Sequence, residues 1–319
     1  MKRVAILCLI AGVALAVVLI ARSEMGAIVH AFTTLGLDGF GLLIAVHLCL
    51  IVVMGLAWGA LYPDRHAVFI WGRLVRDGAA EVLPLSQIGG FVLGARAMVL
   101  AHIPPVVASA STVVDVTLEL LSQLVYTIIG LILLAWLRPG SEIELPAIAA
   151  VAAMAVLAGL FVLAQKRGMG SVDKMLAGLS TLLLGARPAG CGSLRDAISD
   201  LHCQPRRLAV GGALHMVAWV CVGCETWLIL RLIDAPVGLA ASLVIDSLLS
   251  GLRSMAFMVP QALGVQEGGY VLLGGLFGVS PEAALALSLI RRARDIVIGA
   301  PALAMWQVLE GSRVLRAPE

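Results

Sequence analysis

Long apolar runs recur from one end of this sequence to the other, and they limit the folds that the chain can adopt. A run of about 20 apolar residues spans the hydrocarbon core of a bilayer as a helix. The 319-residue chain is 61% hydrophobic and only 13% charged, which is not the composition of a soluble globular domain. Continuous runs favour helices over the short alternating segments of a transmembrane β-barrel. The sequence therefore predicts an all-α polytopic membrane protein.

Six of the apolar runs are long enough to cross a membrane. The first begins with two basic residues and could be a signal peptide, but its length and the lack of a small-x-small cleavage site favour a retained crossing. The predicted full crossings lie at about 4–21, 39–61, 106–137, 146–164, 208–230 and 282–309.

Two further stretches, about 68–103 and 240–280, are interrupted by Pro/Gly-rich breaks. Each contains two apolar pieces that are too short to cross alone. We therefore predict two re-entrant helical hairpins, whose breaks must be buried in protein or line a wet cavity.

The basic residues indicate the orientation. With the N-terminus inside, the cytoplasmic segments contain 15 of the 22 Lys and Arg residues and the outer segments contain four. Because cytoplasmic loops carry an excess of Lys and Arg, both termini are predicted to be cytoplasmic. The expected location is the bacterial inner membrane.

The two halves of the chain, 1–140 and 141–319, resemble each other. "LPLSQIGGFVLG" (83–94) is similar to "VPQALGVQEGGYVLLG" (259–274), and each half reads as crossing, crossing, hairpin, crossing. Under the predicted topology the hairpins enter from opposite sides, which makes an inverted repeat. Transporters with this arrangement bind substrate centrally, where the repeats meet.

The last crossing contains four charged residues, Arg291, Arg292, Arg294 and Asp295. Each would cost about 2.5–3.5 kcal/mol near the bilayer centre if it faced lipid. They are therefore expected to face inward, and Arg291 and Asp295 are spaced as an i,i+4 pair. Three positive charges against one negative charge leave a surplus.

The third crossing carries Asp115, Glu119 and Gln123 on one face, and the repeat aligns Asp115 with Arg291. Two interpretations remain open. These carboxylates could close an ion-pair network with the arginines, or the surplus cations could bind an anionic group such as a lipid phosphate, which suits arginine. The two interpretations are compatible if the carboxylates pair with the arginines only when no substrate is bound.

The hairpin breaks add polar groups where helices begin or end. Free N–H and C=O groups at such ends can bind a polar ligand, and Glu267 could titrate or pair with Arg253. Glu225 and His215 are interpreted as buried packing residues, and no partner is predicted for His47. The remaining candidate substrate-binding residues are Gln87, Arg96, Asp246, Pro260, Gly264 and Gln266.

The six cysteines do not indicate a disulfide framework. Cys221 and Cys224 form a CxxC inside an apolar run, which favours packing, and Cys191 with His202 and Cys203 matches no metal-site spacing. We predict no catalytic residue, no metal and no cofactor.

The stretch "FMVPQALGVQEGGYVLLGGLFGVSPEAALALSLIRRARDI", with the earlier "LPLSQIGG" and "ASTVVDVTLELLSQLVY", resembles the lysylphosphatidylglycerol-synthase transmembrane-domain family of flippase-like membrane proteins. The greatest similarity is to the hopanoid-associated (HpnL-type) subfamily. The family usually has Pro-Gly at the second break, where this chain has Pro260-Gln261. Positions that match the family pattern are Pro260, Gly264, Glu267, Arg291, Arg294 and Asp295.

The resemblance implies a lipid transporter that is not an enzyme, because no soluble aminoacyl-transfer domain is expected. It would move an anionic phosphate-bearing, polyprenyl or hopanoid-type lipid between leaflets through a central polar cavity. The alternatives are a membrane-embedded lipid-modifying transferase, whose catalytic signatures are missing, and a scaffold of a lipid-synthesis complex. The expected partners are membrane lipids, with a second copy or lipid-synthesis enzymes as protein partners, and no nucleic acid.

Overall fold

The computed structural model describes residues 25–62, 65–82, 86–167, 191–256 and 259–316. Within these ranges the regular structure is entirely helical and contains no strand, which confirms the predicted all-α class. The α-helices are α1 (Met25–Gly59), α2 (His66–Val82), α3 (Ser86–Leu100), α4 (Pro105–Leu137), α5 (Glu144–Arg167), α6 (Cys191–His202), α7 (Pro205–Leu232), α8 (Leu239–Met255), α9 (Val265–Gly275) and α10 (Pro281–Arg316).

Four helices of the described residues are long and apolar enough to cross a membrane, so the chain is a multi-pass membrane protein. They are α1 from Val29 onward, α4, the Glu144–Leu163 part of α5, and α7. They coincide with four of the predicted crossings. The predicted crossing at 4–21 lies outside the described residues. The predicted crossing at 282–309 lies within the single helix α10, whose charged residues set it apart from the four.

Helix α1 begins well before the predicted crossing at 39–61 and contains a kink at Gly36. The backbone of Gly36 has φ 63° and ψ 176°, a conformation that residues with a Cβ rarely adopt. The apolar pattern alone did not indicate that helix continues on both sides of this glycine.

Each predicted hairpin consists of two helices separated by a break. In the first, α2 and α3 approach closely at glycines: a Cβ built on Gly90 would lie 2.6 Å from the carbonyl oxygen of Arg76. In the second, a Cβ on Gly269 of α9 would lie 2.4 Å from a side-chain carbon of Leu249 in α8. The helix pairs are as predicted, whereas their re-entry into a membrane stays a prediction.

The chain divides into two compact units, each built from three separate segments. The first unit comprises Met1–Leu50, Gln123–Val156 and Met216–Arg294. The second comprises Ile51–Ser122, Leu157–His215 and Asp295–Glu319. These units do not correspond to the predicted repeat halves 1–140 and 141–319, because each unit contains segments of both. The inverted repeat stays a prediction.

Each unit has its own apolar core. Leu43, Leu134 and Ile229 are fully buried in the core of the first unit. In the second unit, Trp58 packs edge-on against Phe69 with ring centroids 5.8 Å apart.

A side chain at Gly299 is expected to destabilise the second unit. A Cβ there would lie 2.7 Å from the Cα of Gly78, so α2 and α10 touch backbone to backbone. We expect Gly299→Val to lower the free energy of unfolding by about 1–3 kcal/mol through overpacking. Gly159→Ala is the control because no atom lies within 4 Å of its added Cβ. Chemical denaturation in detergent micelles measures both, and equal stability of the two variants would contradict the contact.

Candidate functional site

Each arginine in the middle of α10 lies against its own carboxylate within the first unit. The carboxylates come from α7, α8 and the first turn of α9, and all of them are buried. The three ion pairs are Arg291–Asp246 at 2.6 Å, Arg292–Glu267 at 2.9 Å and Arg294–Glu225 at 2.6 Å.

Asp246 of α8 is the centre of the first group, which we call the Asp246 cluster. Its Oδ1 accepts from Arg291 Nη1 at 2.6 Å and from Thr226 Oγ1 at 2.9 Å. Its Oδ2 accepts from the Tyr126 hydroxyl at 3.4 Å. Arg291 Nη1 also donates to the Tyr270 hydroxyl at 2.5 Å. Five helices thus meet around one carboxylate that is 1% exposed.

Glu267 lies in the first turn of α9 and forms the second group. Its Oε2 accepts a hydrogen bond from the backbone N–H of Gly264, the N-cap residue of α9, at 2.8 Å. The Glu267 side chain therefore caps the start of its own helix. Its Oε1 accepts from the Ser288 hydroxyl and from Arg292 Nε, each at 2.9 Å. Gln266 Nε2 donates to Ser288 Oγ at 2.8 Å. Arg292 is therefore the cation beside Glu267, where the sequence had suggested Arg253.

The break before α9 has an unusual backbone. Gln261 and Ala262 have φ 54° and 47°, and Gly264 has φ 77°. Two successive non-glycine residues in the left-handed region are strained, and such strain concentrates at functional sites. Arg292 Nη2 donates to the Gln261 carbonyl at 3.3 Å, so α10 holds this break directly.

Glu225 of α7 forms the third group. It pairs with Arg294, and its Oε2 lies 3.2 Å from Nδ1 of His47 in α1. Both members of the Glu225–Arg294 pair are almost completely buried. Glu225 is buried and paired within the protein, and it supplies the partner that had not been predicted for His47.

A separate charged group, the Arg76 cluster, lies in the second unit. Arg76 Nη1 donates to Asp115 Oδ2 at 2.8 Å, and Nη2 donates to Glu119. Arg73 forms a bidentate pair with Glu119 at 2.9 and 3.1 Å. His215 Nε2 lies 2.9 Å from Asp115 Oδ1. Helices α2, α4 and α7 are joined in this way.

The acidic face on α4 has partners on α2. Asp115 and Glu119 bind Arg73 and Arg76, which the sequence had not indicated. In the structure both arginines are about 5% exposed. Gln123, on the same face of α4, donates to the Ser250 carbonyl of α8 at 2.8 Å.

In both the Arg76 and the Asp246 cluster, an Arg–Asp pair joins the first helix of a predicted hairpin to a long helix, but the positions of the arginine and the aspartate are exchanged. In the second unit the arginine lies on a hairpin helix and the aspartate on the long helix that follows. In the first unit the aspartate lies on the hairpin helix α8, and Arg291 lies on the long helix α10. Asp115 and Arg291 are the two positions that the predicted repeat aligns, and the repeat itself stays a prediction.

The other predicted site residues are more dispersed. Arg96 pairs with Glu310 at 2.5 Å in the second unit, and both side chains are partly exposed. Arg253 lies in the last turn of α8, and Asp295 is partly buried in α10. Pro260 begins a short 3₁₀ turn. Gln87 lies in the first turn of α3, and its side chain is outside the described part of the chain.

In the part of the chain that the structure describes, no group of three or more His, Cys, Asp or Glu side chains could hold a metal ion. Cys221 and Cys224 are free thiols within α7.

A family model described as "Lysylphosphatidylglycerol synthase TM region" matches residues 9–302, which is most of the chain. Searches of the curated proteins and of the solved structures gave no match. The hopanoid-associated subfamily stays a prediction. The chain therefore belongs to the family of the lysylphosphatidylglycerol synthase TM region, a family of membrane proteins tied to lipid metabolism.

Proposed function

We propose that this protein is a flippase- or scramblase-like transporter, and not an enzyme, that moves an anionic phosphate-bearing lipid between the leaflets of a bacterial inner membrane. The observation that carries the proposal is the set of three buried guanidinium–carboxylate pairs on α10. Ionisable residues at membrane depth are expensive and mark substrate pathways in transport proteins. Well-packed apolar residues could replace a purely structural ion pair without loss of stability.

Partner exchange is the mechanism that these pairs support. The carboxylates neutralise the arginines in the absence of lipid, so each of these three arginines is buried with an anionic partner. Two oxygens of a lipid phosphate can accept from a guanidinium in the same bidentate way as the two oxygens of a carboxylate. When the phosphate replaces a carboxylate, the arginine keeps a partner throughout, and the large penalty for an unpaired buried cation is avoided.

The chemistry of arginine also limits the substrate. A guanidinium stays charged at any physiological pH, so it selects for an anionic group. A phospholipid or a polyprenyl-phosphate-linked lipid provides that group, whereas a neutral hopanoid would not need these arginines. We therefore infer a phosphate-bearing lipid, whose apolar tail remains in the bilayer.

Leaflet transfer in liposomes tests the proposal. Purified protein is reconstituted with fluorescent phosphatidylglycerol, and a membrane-impermeant quencher reports how much lipid reaches the outer leaflet. We expect faster transfer than in protein-free liposomes, and no such acceleration for a fluorescent neutral glycosyl diacylglycerol matched in its tails. A polyprenyl phosphate is the second anionic substrate. The proposal would be overturned if folded protein moved neither anionic lipid, or moved the neutral lipid equally fast.

A further inference from the structure

The carboxylate of Glu267 lies in a set of donors that would suit a phosphate equally well. A backbone N–H, a hydroxyl and a guanidinium converge on its two oxygens, from Gly264, Ser288 and Arg292. Two of these donors come from α10 and one from the start of α9. The helix dipole at this end adds a favourable field for any anion.

This pair is also the most accessible of the three on α10. The Arg292 side chain is 14% exposed, compared with 9% for Arg291 and 2% for Arg294. An incoming anion would therefore reach Arg292 before it reaches the other two. Glu267 itself is almost fully buried, because it fills the position that such an anion would occupy.

We propose that the donors around Glu267 form a binding site for a phosphate ester, and that Glu267 occupies this site as an internal ligand until a phosphate displaces it. The inference rests on the proposed transport of a phosphate-bearing lipid and names the residue that must yield to the headgroup. Its consequence is that Glu267 weakens anion binding in the resting protein, since only the displaced state can bind.

Displacement of Glu267 would also release the break before α9. The Glu267 carboxylate caps Gly264, and Arg292 holds the carbonyl of Gln261. A phosphate that takes over Arg292 and Ser288 would loosen both restraints at once. Headgroup binding and a change in the backbone of this break are therefore linked.

Removal of the internal ligand tests the inference. Full-length wild type and Glu267→Ala are purified in a phosphate-free detergent, and melting is followed by tryptophan fluorescence during titration with sodium phosphate or sodium chloride at equal ionic strength. We expect Glu267→Ala to melt lower than wild type and to be restored by phosphate. Its apparent affinity should be at least about tenfold tighter than that of wild type, because no carboxylate has to be displaced.

Two matched variants make the result specific. Glu267→Ala combined with Arg292→Gln should lose the response to phosphate, and Glu225→Ala should show none because its arginine is almost inaccessible. If Glu267→Ala does not fold, Glu267→Asp provides the test, since its shorter carboxylate should also leave space for phosphate. A folded variant that ignores phosphate, or a response that survives the loss of Arg292, would overturn the inference.

The same titration with dihexanoyl-phosphatidylglycerol distinguishes a lipid phosphodiester from free phosphate. Stabilisation by the lipid identifies a headgroup site, and stabilisation by inorganic phosphate alone identifies a site for a soluble anion. Anion binding without leaflet transfer would contradict the proposed transport and leave this site intact. Leaflet transfer by a protein whose Glu267 variants ignore phosphate would contradict the site and leave the transport intact.

Discussion

Arg291→Ala is expected to lower the free energy of unfolding by about 3–5 kcal/mol, because it leaves Asp246 as an unpaired buried charge. Asp246 would keep hydrogen bonds from Thr226 and Tyr126 but lose its only described cation. The Tyr270 hydroxyl would also lose its donor. Chemical denaturation in micelles, followed by circular dichroism, gives the measurement.

A double variant separates the loss of the arginine from the stranded aspartate. In Arg291→Met combined with Asp246→Leu, no charge remains unpaired, and such replacements are often neutral or stabilising. We expect most of the lost stability to return, with a strong coupling between the two sites. Additive losses would show that the two side chains do not act as a pair.

Arg76→Ala is expected to have an effect of similar size, about 3–5 kcal/mol, in the second unit. Arg76 donates hydrogen bonds to both Asp115 and Glu119, and its guanidinium lies 4.5 Å from the ring centroid of Phe91. After its loss, Asp115 keeps its contact with His215, and Glu119 keeps its pair with Arg73. The same denaturation experiment measures the change.

Arg96→Ala is the matched control for Arg76. Arg96 also forms a two-point pair with a carboxylate in the second unit, but Arg96 and Glu310 are partly exposed. Exposed pairs contribute about 0–1 kcal/mol. If the two variants lost the same free energy of unfolding, burial would not explain the contribution of the Arg76 cluster to stability.

The sequence predicted the helices well, because the spacing and length of apolar runs directly reflect membrane thickness and helical geometry. It also predicted that Arg291 faces inward, since charges inside apolar runs have to be satisfied. The kink at Gly36 was not predicted, because its backbone conformation leaves no mark on the apolar pattern.

The partners of the charged residues could not be derived from the sequence. Helical periodicity tells which residues share a face, but not which neighbouring helix that face meets. Arg73 and Arg76 were therefore not recognised as the partners of Asp115 and Glu119. His47 and Glu225 are 178 residues apart, and nothing local links them.

Leaflet transfer by the charge-neutral pair, Arg291→Met with Asp246→Leu, tests the central claim most directly. This variant is expected to fold with nearly the stability of wild type, so a change in transport reports on the arginine rather than on unfolding. If Arg291 holds a lipid phosphate in transit, transfer of phosphatidylglycerol should fall at least about tenfold, as the loss of one charge-assisted hydrogen bond implies. Transfer at the wild-type rate would contradict the account and make the buried arginine a structural residue alone.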